Sequence, residues 1–288
     1  MTAEGSSSRS VCESCGTARS GKFCAQCGEK ELHREDLTLR AFLEQALDGL
    51  THFDSKALRT FKLLLTKPGL LAADYVRGAR VRTMRPLQLF FFVNLLYFLL
   101  QPYTSANTFN TTLQTQTHGL PYSRLAAARV EARRSALGLS FEAYAERFDQ
   151  ASSSWSKALL ILMTPMLAGV FALLHVRRRR TFVEHLVLAL GFFSFYLLFV
   201  CLAAMPAIQL AARCVYTLGG RFVGGFGDLE FSVIVSALAA LYLAAAFRRF
   251  YGDSRASSYA LAVAAILGLA ILVQIYRLVL FLVVFYAG

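Results

Sequence analysis

Cys12, Cys15, Cys24 and Cys27 form two C-x-x-C pairs separated by eight residues. Thiolates two residues apart can grip one ion from a single tight turn. Two such turns complete a tetrahedral all-sulfur site, the ligand set of structural zinc. Gly16 and Gly28 follow the second cysteine of each pair, where the turn needs a residue that tolerates positive φ. Four sulfurs leave no coordination position for water or substrate, so the expected zinc is structural. It would hold together a ribbon, residues 12–36, with too few residues to bury a core of its own. Two disulfides are the other reading of the spacing. The cytoplasmic placement argued below disfavours them, because thiols are kept reduced there.

The other residues that could do chemistry lie within or beside apolar runs. Gln274 and Arg277 share a helical face and could contact an anionic solute or a lipid headgroup, although an arginine reaching to the outer membrane interface is the favoured reading of the position. Glu184 and His185, with His175 nearby, could form a proton-linked or metal site, or simply anchor helix ends at an interface. Asn94 is expected to bond a neighbouring helix. His52 and Asp54 are close enough to suggest a site, yet helix capping accounts for Asp54. Cys201 and Cys214 read as packing residues. No nucleophile elbow, P-loop, H-E-x-x-H or dinucleotide fingerprint is present, so no catalytic residue is assigned and the chain reads as a non-enzyme.

These residues must be positioned by elements suited to lipid. Of 288 residues, 56% are hydrophobic, with 24 Phe and 12 Tyr, and mean hydropathy is +0.48; soluble domains average roughly 45–50% apolar. The expected fold is mainly α, a polytopic helical membrane protein of about five spans carrying the small N-terminal ribbon. The spans fall near residues 87–102, 158–176, 182–212, 231–247 and 256–287, inside a membrane domain of 87–288 with an external loop at 103–156. The third run should bend near Pro206. Within the loop, Thr104 to Thr117 reads as flexible, followed by helices over 123–136 and 140–151, each opened by a serine. The net charge is +12. Arginine clusters before the first span, at 177–180, and at 248–255 all fall on one side if the N-terminus is inside, with the C-terminus outside. No apolar leader occurs in the first 36 residues, which also places the N-terminus in the cytoplasm.

Residues 1–11 read as a disordered tail. Residues 12–36 sit near charge balance, so a protein partner is favoured over nucleic acid. Residues 37–86 read as a basic amphipathic helical connector that lies on anionic lipid of the cytoplasmic face or bundles against the ribbon. The segments C-E-S-C-G, F-C-A-Q-C-G-E-K, D-L-T-L-R-A-F, F-D-S-K-A-L-R-T-F, K-P-G and D-Y-V-R-G-A-R-V-R-T-M-R-P-L-Q-L-F-F-F together resemble a bacterial family of zinc-ribbon membrane proteins defined by a domain of unknown function. The resemblance spans about residues 12–100. It implies a bacterial inner-membrane protein and supplies no activity. The expected function is a membrane scaffold or sensor whose ribbon recruits a protein; the alternative is a transporter or channel for a small anionic or lipidic solute.

Overall fold

The computed structural model of the chain describes residues 10–19, 21–41, 56–104, 109, 111–199, 206–207, 210, 214 and 228–287. The described part is mainly helical, with one small two-stranded sheet. Strand β1 (Ser10–Val11) pairs antiparallel with β2 (Ala18–Arg19), Val11 opposite Ala18.

The connector supplies two helices, α1 (Lys56–Thr66) and α2 (Leu70–Arg77). Pro68 and Gly69 break the chain between them. A side chain at Gly69 would bring a Cβ within 2.8 Å of the Ala246 carbonyl oxygen, so only glycine allows this approach. Gly78, at φ 100°, closes α2, and Ala79 N–H donates to the Asp74 carbonyl beyond it. The connector is not merely laid on a surface. Ala57, Thr60 and Leu64 are buried, and Phe61 meets Phe92 at 5.6 Å between ring centroids. The Leu64 carbonyl accepts from the Tyr242 hydroxyl at 3.0 Å. The opposite face of α1 leaves Leu58, Arg59, Lys62 and Leu65 exposed.

The apolar bundle comprises α3 (Pro86–Thr104), the second half of α6 (Phe141–Leu174), α7 (Phe182–Phe195), α8 (Asp228–Tyr251) and α9 (Arg255–Ala287). Helix α7 is apolar on every side, which makes it a core helix rather than an amphipathic one. Its apolar stretch, Phe182–Phe199, is 72% buried inside the protein, against 22% for that of α9. On α9 the exposed Val263, Leu267 and Ile271 form a stripe that needs an apolar solvent. Gly268 lets α9 approach α6, where a Cβ would lie 2.9 Å from Val170.

Three described helices are long and apolar enough to cross a membrane: Phe182–Phe199, Ser232–Tyr251 and Arg255–Ala287. Phe141–Ser156 and Ala158–Leu174 meet at a 53° bend and make a fourth if taken as one span. The expected first span is short, since the apolar part of α3 is Pro86–Leu100. The excess length of the last run is a single helix of 33 residues. At 1.5 Å per residue it extends about 50 Å, well beyond a hydrocarbon core of about 30 Å. Most of the residues around Pro206, where the bend is expected, lie outside the described residues.

That excess meets a cap built from α4 (Leu113–His118), α5 (Ser123–Ala136) and the first half of α6. The stretch expected to be flexible contains α4, with Thr112 as its N-cap and Leu113, Gln116 and Thr117 buried. Polar composition suggested a linker there, but α4 is tied down by the Asp149 carboxylate, which accepts Leu113 N–H at 2.7 Å. Helix α5 starts at Ser123 without a serine cap. Ser140 does cap α6, which then runs on past 151 into the bundle. Arg133 donates to the Phe285 carbonyl and Arg129 to the Tyr286 hydroxyl, fastening the cap to the end of α9.

Candidate metal centre

The two C-x-x-C segments fold identically. Cys12 N–H donates to the Thr17 carbonyl at 2.9 Å and Gly16 N–H to the Cys12 carbonyl at 2.8 Å; Cys24 with Glu29 and Gly28 with Cys24 repeat both bonds at the same distances. Gly16 and Gly28 take φ of 78° and 72°, the region where a side chain is strained. These turns aim all four sulfurs inward. Cys12 and Cys27 lie 3.6 Å apart, Cys15 and Cys24 3.5 Å, and all four fall within 4.8 Å of one another. A disulfide needs about 2.05 Å, and none of these pairs is bonded. Sulfurs at about 2.3 Å from a shared ion in tetrahedral array stand about 3.8 Å apart. The four cysteines therefore fit a single metal ion.

The electrostatics agree. Burial pushes the Cys12 thiol up, but the N–H groups of Cys15 and Ser14 and the Arg19 guanidinium outweigh it and bring it down to about 6. The Glu29 N–H pulls Cys27 down, yet burial and the three neighbouring sulfurs prevail and hold it at about 12. Four thiols this close give up all their protons only when a cation replaces them. Arg19, buried on β2, supplies one positive charge beside Cys12.

The other candidate residues separate into two groups at opposite ends of the bundle. Glu184 begins α7 and accepts Thr181 N–H at 2.7 Å, closing the helix N-terminus, while pairing with Arg180 at 2.7 Å. His185 shares a hydrogen bond of 2.6 Å with the Tyr251 hydroxyl. Tyr251 stacks on His175 at 3.7 Å, and His175 bonds the Phe171 carbonyl and the Asp253 carboxylate, which also holds Arg178. This network ties the ends of α6, α7 and α8 together. With Arg249 donating to the Pro68 carbonyl, it gathers the arginine clusters at the end of the bundle that carries the connector. Gln274 and Arg277 lie 19 and 22 residues along α9 from its start, about 30 Å away. There Gln116 reaches the Arg277 carbonyl at 3.5 Å and accepts from Tyr122. Buried Gln274 Oε1 and Arg277 Nε have no partner among the described residues. Asn94, expected to bond across helices, likewise leaves its buried Oδ1 unpaired. His52, Asp54 and Cys201 lie outside the described residues, and Cys214 is exposed.

The model of a protein family of unknown function, DUF3667, matches residues 54–98. These are the connector helices, the loop after them and most of α3, not the cysteines. No curated protein and no solved structure matches the chain.

Three functional-looking residues escaped the sequence reading. Ser14 and Glu29 lie among the cysteines, and Asp253 sits in a short turn beside an arginine pair. The only local signal was for Asp253, an acid in a loop otherwise rich in cations.

Proposed function

We propose that this protein is a non-enzymatic membrane scaffold or sensor in a bacterial inner membrane. On this reading the chain crosses five times with the ribbon in the cytoplasm and the cap outside. The four cysteines carry structural zinc, the ribbon recruits a protein rather than nucleic acid, and the basic face of α1 rests on anionic lipid. The observation that carries recruitment is on the ribbon surface. Val11 is 63% exposed and Phe23 is 62% exposed, two large apolar side chains on a domain whose buried hydrophobic residues, among those described, are the cysteines Cys12 and Cys24. Burying one such side chain against a partner contributes about 1.5–3 kcal/mol. The lipid contact is supported by Leu58, 82% exposed, flanked by Arg59 and Lys62.

A photo-crosslinking residue at position 23 of the full chain, in its native membrane, tests recruitment. A discrete adduct is expected there, absent from a probe at the exposed cap residue Leu125, and lost from a second probe at position 11 when Phe23→Glu is introduced. Identical adduct patterns at positions 23 and 125 refute it.

A further inference from the structure

Glu29 follows the second knuckle by two residues and is 3% exposed. Its carboxylate accepts from three donors: the Ser14 hydroxyl, Arg80 N–H at 2.8 Å and Val81 N–H at 2.9 Å. Ser14 belongs to the first knuckle, between Cys12 and Cys15. One carboxylate therefore joins both halves of the cysteine site to a pair of amides more than fifty residues away. Those amides belong to the short segment between Gly78 and Pro86, where α3 begins. The same segment is anchored at its far end by Met84 N–H on the Thr60 hydroxyl at 3.0 Å. Ribbon residue Leu32 closes over its near end, so that a Cβ at Gly78 would lie 3.1 Å from the Leu32 Cβ.

A buried carboxylate is held only while its donors stay in place; once they part, it must return to water. Ser14 and Glu29 are positioned by turns that have no apolar core behind them and depend on the sulfur cluster for their shape. From this geometry we propose that the four-cysteine centre is a metal-dependent latch: with its ion bound it presents Glu29 to the Arg80 and Val81 amides and clamps the entry to α3, and loss of the ion releases that clamp. This rests on the zinc reading above and names how ribbon occupancy reaches the bundle. Coupling of this kind is reciprocal. Whatever factor the ion contributes to holding the loop, the docked loop contributes to holding the ion.

Hydrogen exchange on the full chain in detergent, with Zn2+ or with excess chelator, tests the latch. Bound zinc is counted first, so a failure of the zinc reading shows as a stoichiometry other than one per chain, independently of exchange. The expected result for the wild type is protection at Arg80 and Val81 that falls at least tenfold on chelation and returns when Zn2+ is restored. Glu29→Ala, which removes the acceptor oxygens outright, is expected to retain one zinc per chain, exchange at those amides at the chelated rate with or without metal, and release zinc to the chelator about tenfold faster. Equal wild-type protection with and without metal overturns the latch, and that arm depends on no variant. Zinc-loaded Glu29→Ala protected like the wild type overturns Glu29 as its residue. Phe23→Glu should leave all of these rates unchanged, which separates the latch from recruitment; an altered rate overturns that separation.

Discussion

The bundle carries an appendage at each end, and the two are held by different physics. At the ribbon end charged hydrogen bonds do much of the holding: Glu29 on three donors, His175 and Arg178 on Asp253, Glu184 on Arg180. At the cap end a cluster of rings adds to the hydrogen bonds of Asp149, Arg129 and Arg133. Phe109 meets Tyr97, Tyr196 and Tyr276 edge to face at 6.2–6.4 Å, while Thr111, Gln274 and Arg277 keep buried polar atoms without partners among the described residues. Hydrogen-bonded charge fixes geometry closely and fails sharply when one member is lost. Ring packing tolerates change and degrades gradually. The ribbon end is thus the one suited to switching.

The largest expected break in that contrast comes from the metal ligands. Cys24→Ser removes one of four sulfurs and should abolish metal binding and unfold the ribbon, because ligand binding there is folding energy on the order of 10 kcal/mol. Metal content and hydrogen exchange over residues 10–36 check it, with the cap expected to keep its wild-type exchange. A ribbon that stays protected without metal would show a core that the cysteines do not provide.

Next in size is Asp253→Ala. The Asp253 side chain is 4% exposed and that of His175 2%, while Arg178 is about half exposed and can turn to water, so removing the carboxylate leaves the buried His175 Nε2 without its partner and should cost about 1–3 kcal/mol. Thermal unfolding in detergent measures this. A loss below about 1 kcal/mol would make the network a solvated surface feature and erase the distinction between the two ends.

How much of this was legible follows from sequence separation. The cysteine site was readable because its ligands come in local pairs, and the turn glycines are local as well. Glu29 was not, since nothing in C-G-E-K announces amides at 80 and 81. The helix at Leu113–His118 was missed because a Thr/Gln-rich run has the composition of a linker, and only the packing of Leu113 and Gln116 against distant elements makes it helical. Gln274 and Arg277 were recognised as a pair by helical spacing. Their distance from Glu184 and His185 is a tertiary fact, and it removes the convergence on which a transport path through all four would depend.

Arg277 sharpens the contrast from the other side. Among the described residues it forms no ion pair, and its buried Nε has no partner. Removing a charge without a counter-charge leaves nothing stranded, so Arg277→Leu should change stability by no more than about 1 kcal/mol, in the stabilising direction. Melting in detergent and again in bilayers of anionic lipid checks it. Destabilisation above about 2 kcal/mol in lipid alone would show that a headgroup phosphate is the missing partner.

The smallest effect concerns the hinge between ribbon and connector. The Asp36 carboxylate accepts His33 N–H at 3.0 Å and pairs with Lys30 at 3.1 Å. The His33 N–H, seconded by the Lys30 ammonium and opposed by burial, holds it below the usual carboxylate range. A carboxyl whose folded value is lowered contributes stability above its unfolded value, near 4, and loses it as pH falls through the folded value. Protection of the His33 amide should therefore be constant from neutrality down to about pH 4 and decline below it. Lys30 is more than half exposed, so screening limits the ion-pair part to under about 1 kcal/mol. Asp36→Asn should flatten the acid decline while leaving Arg80 and Val81 protected at neutral pH, because their acceptor is Glu29. If Asp36→Asn exposed those amides as well, the hinge and the latch would be one cooperative unit, and the ribbon would answer acid and metal loss by the same motion.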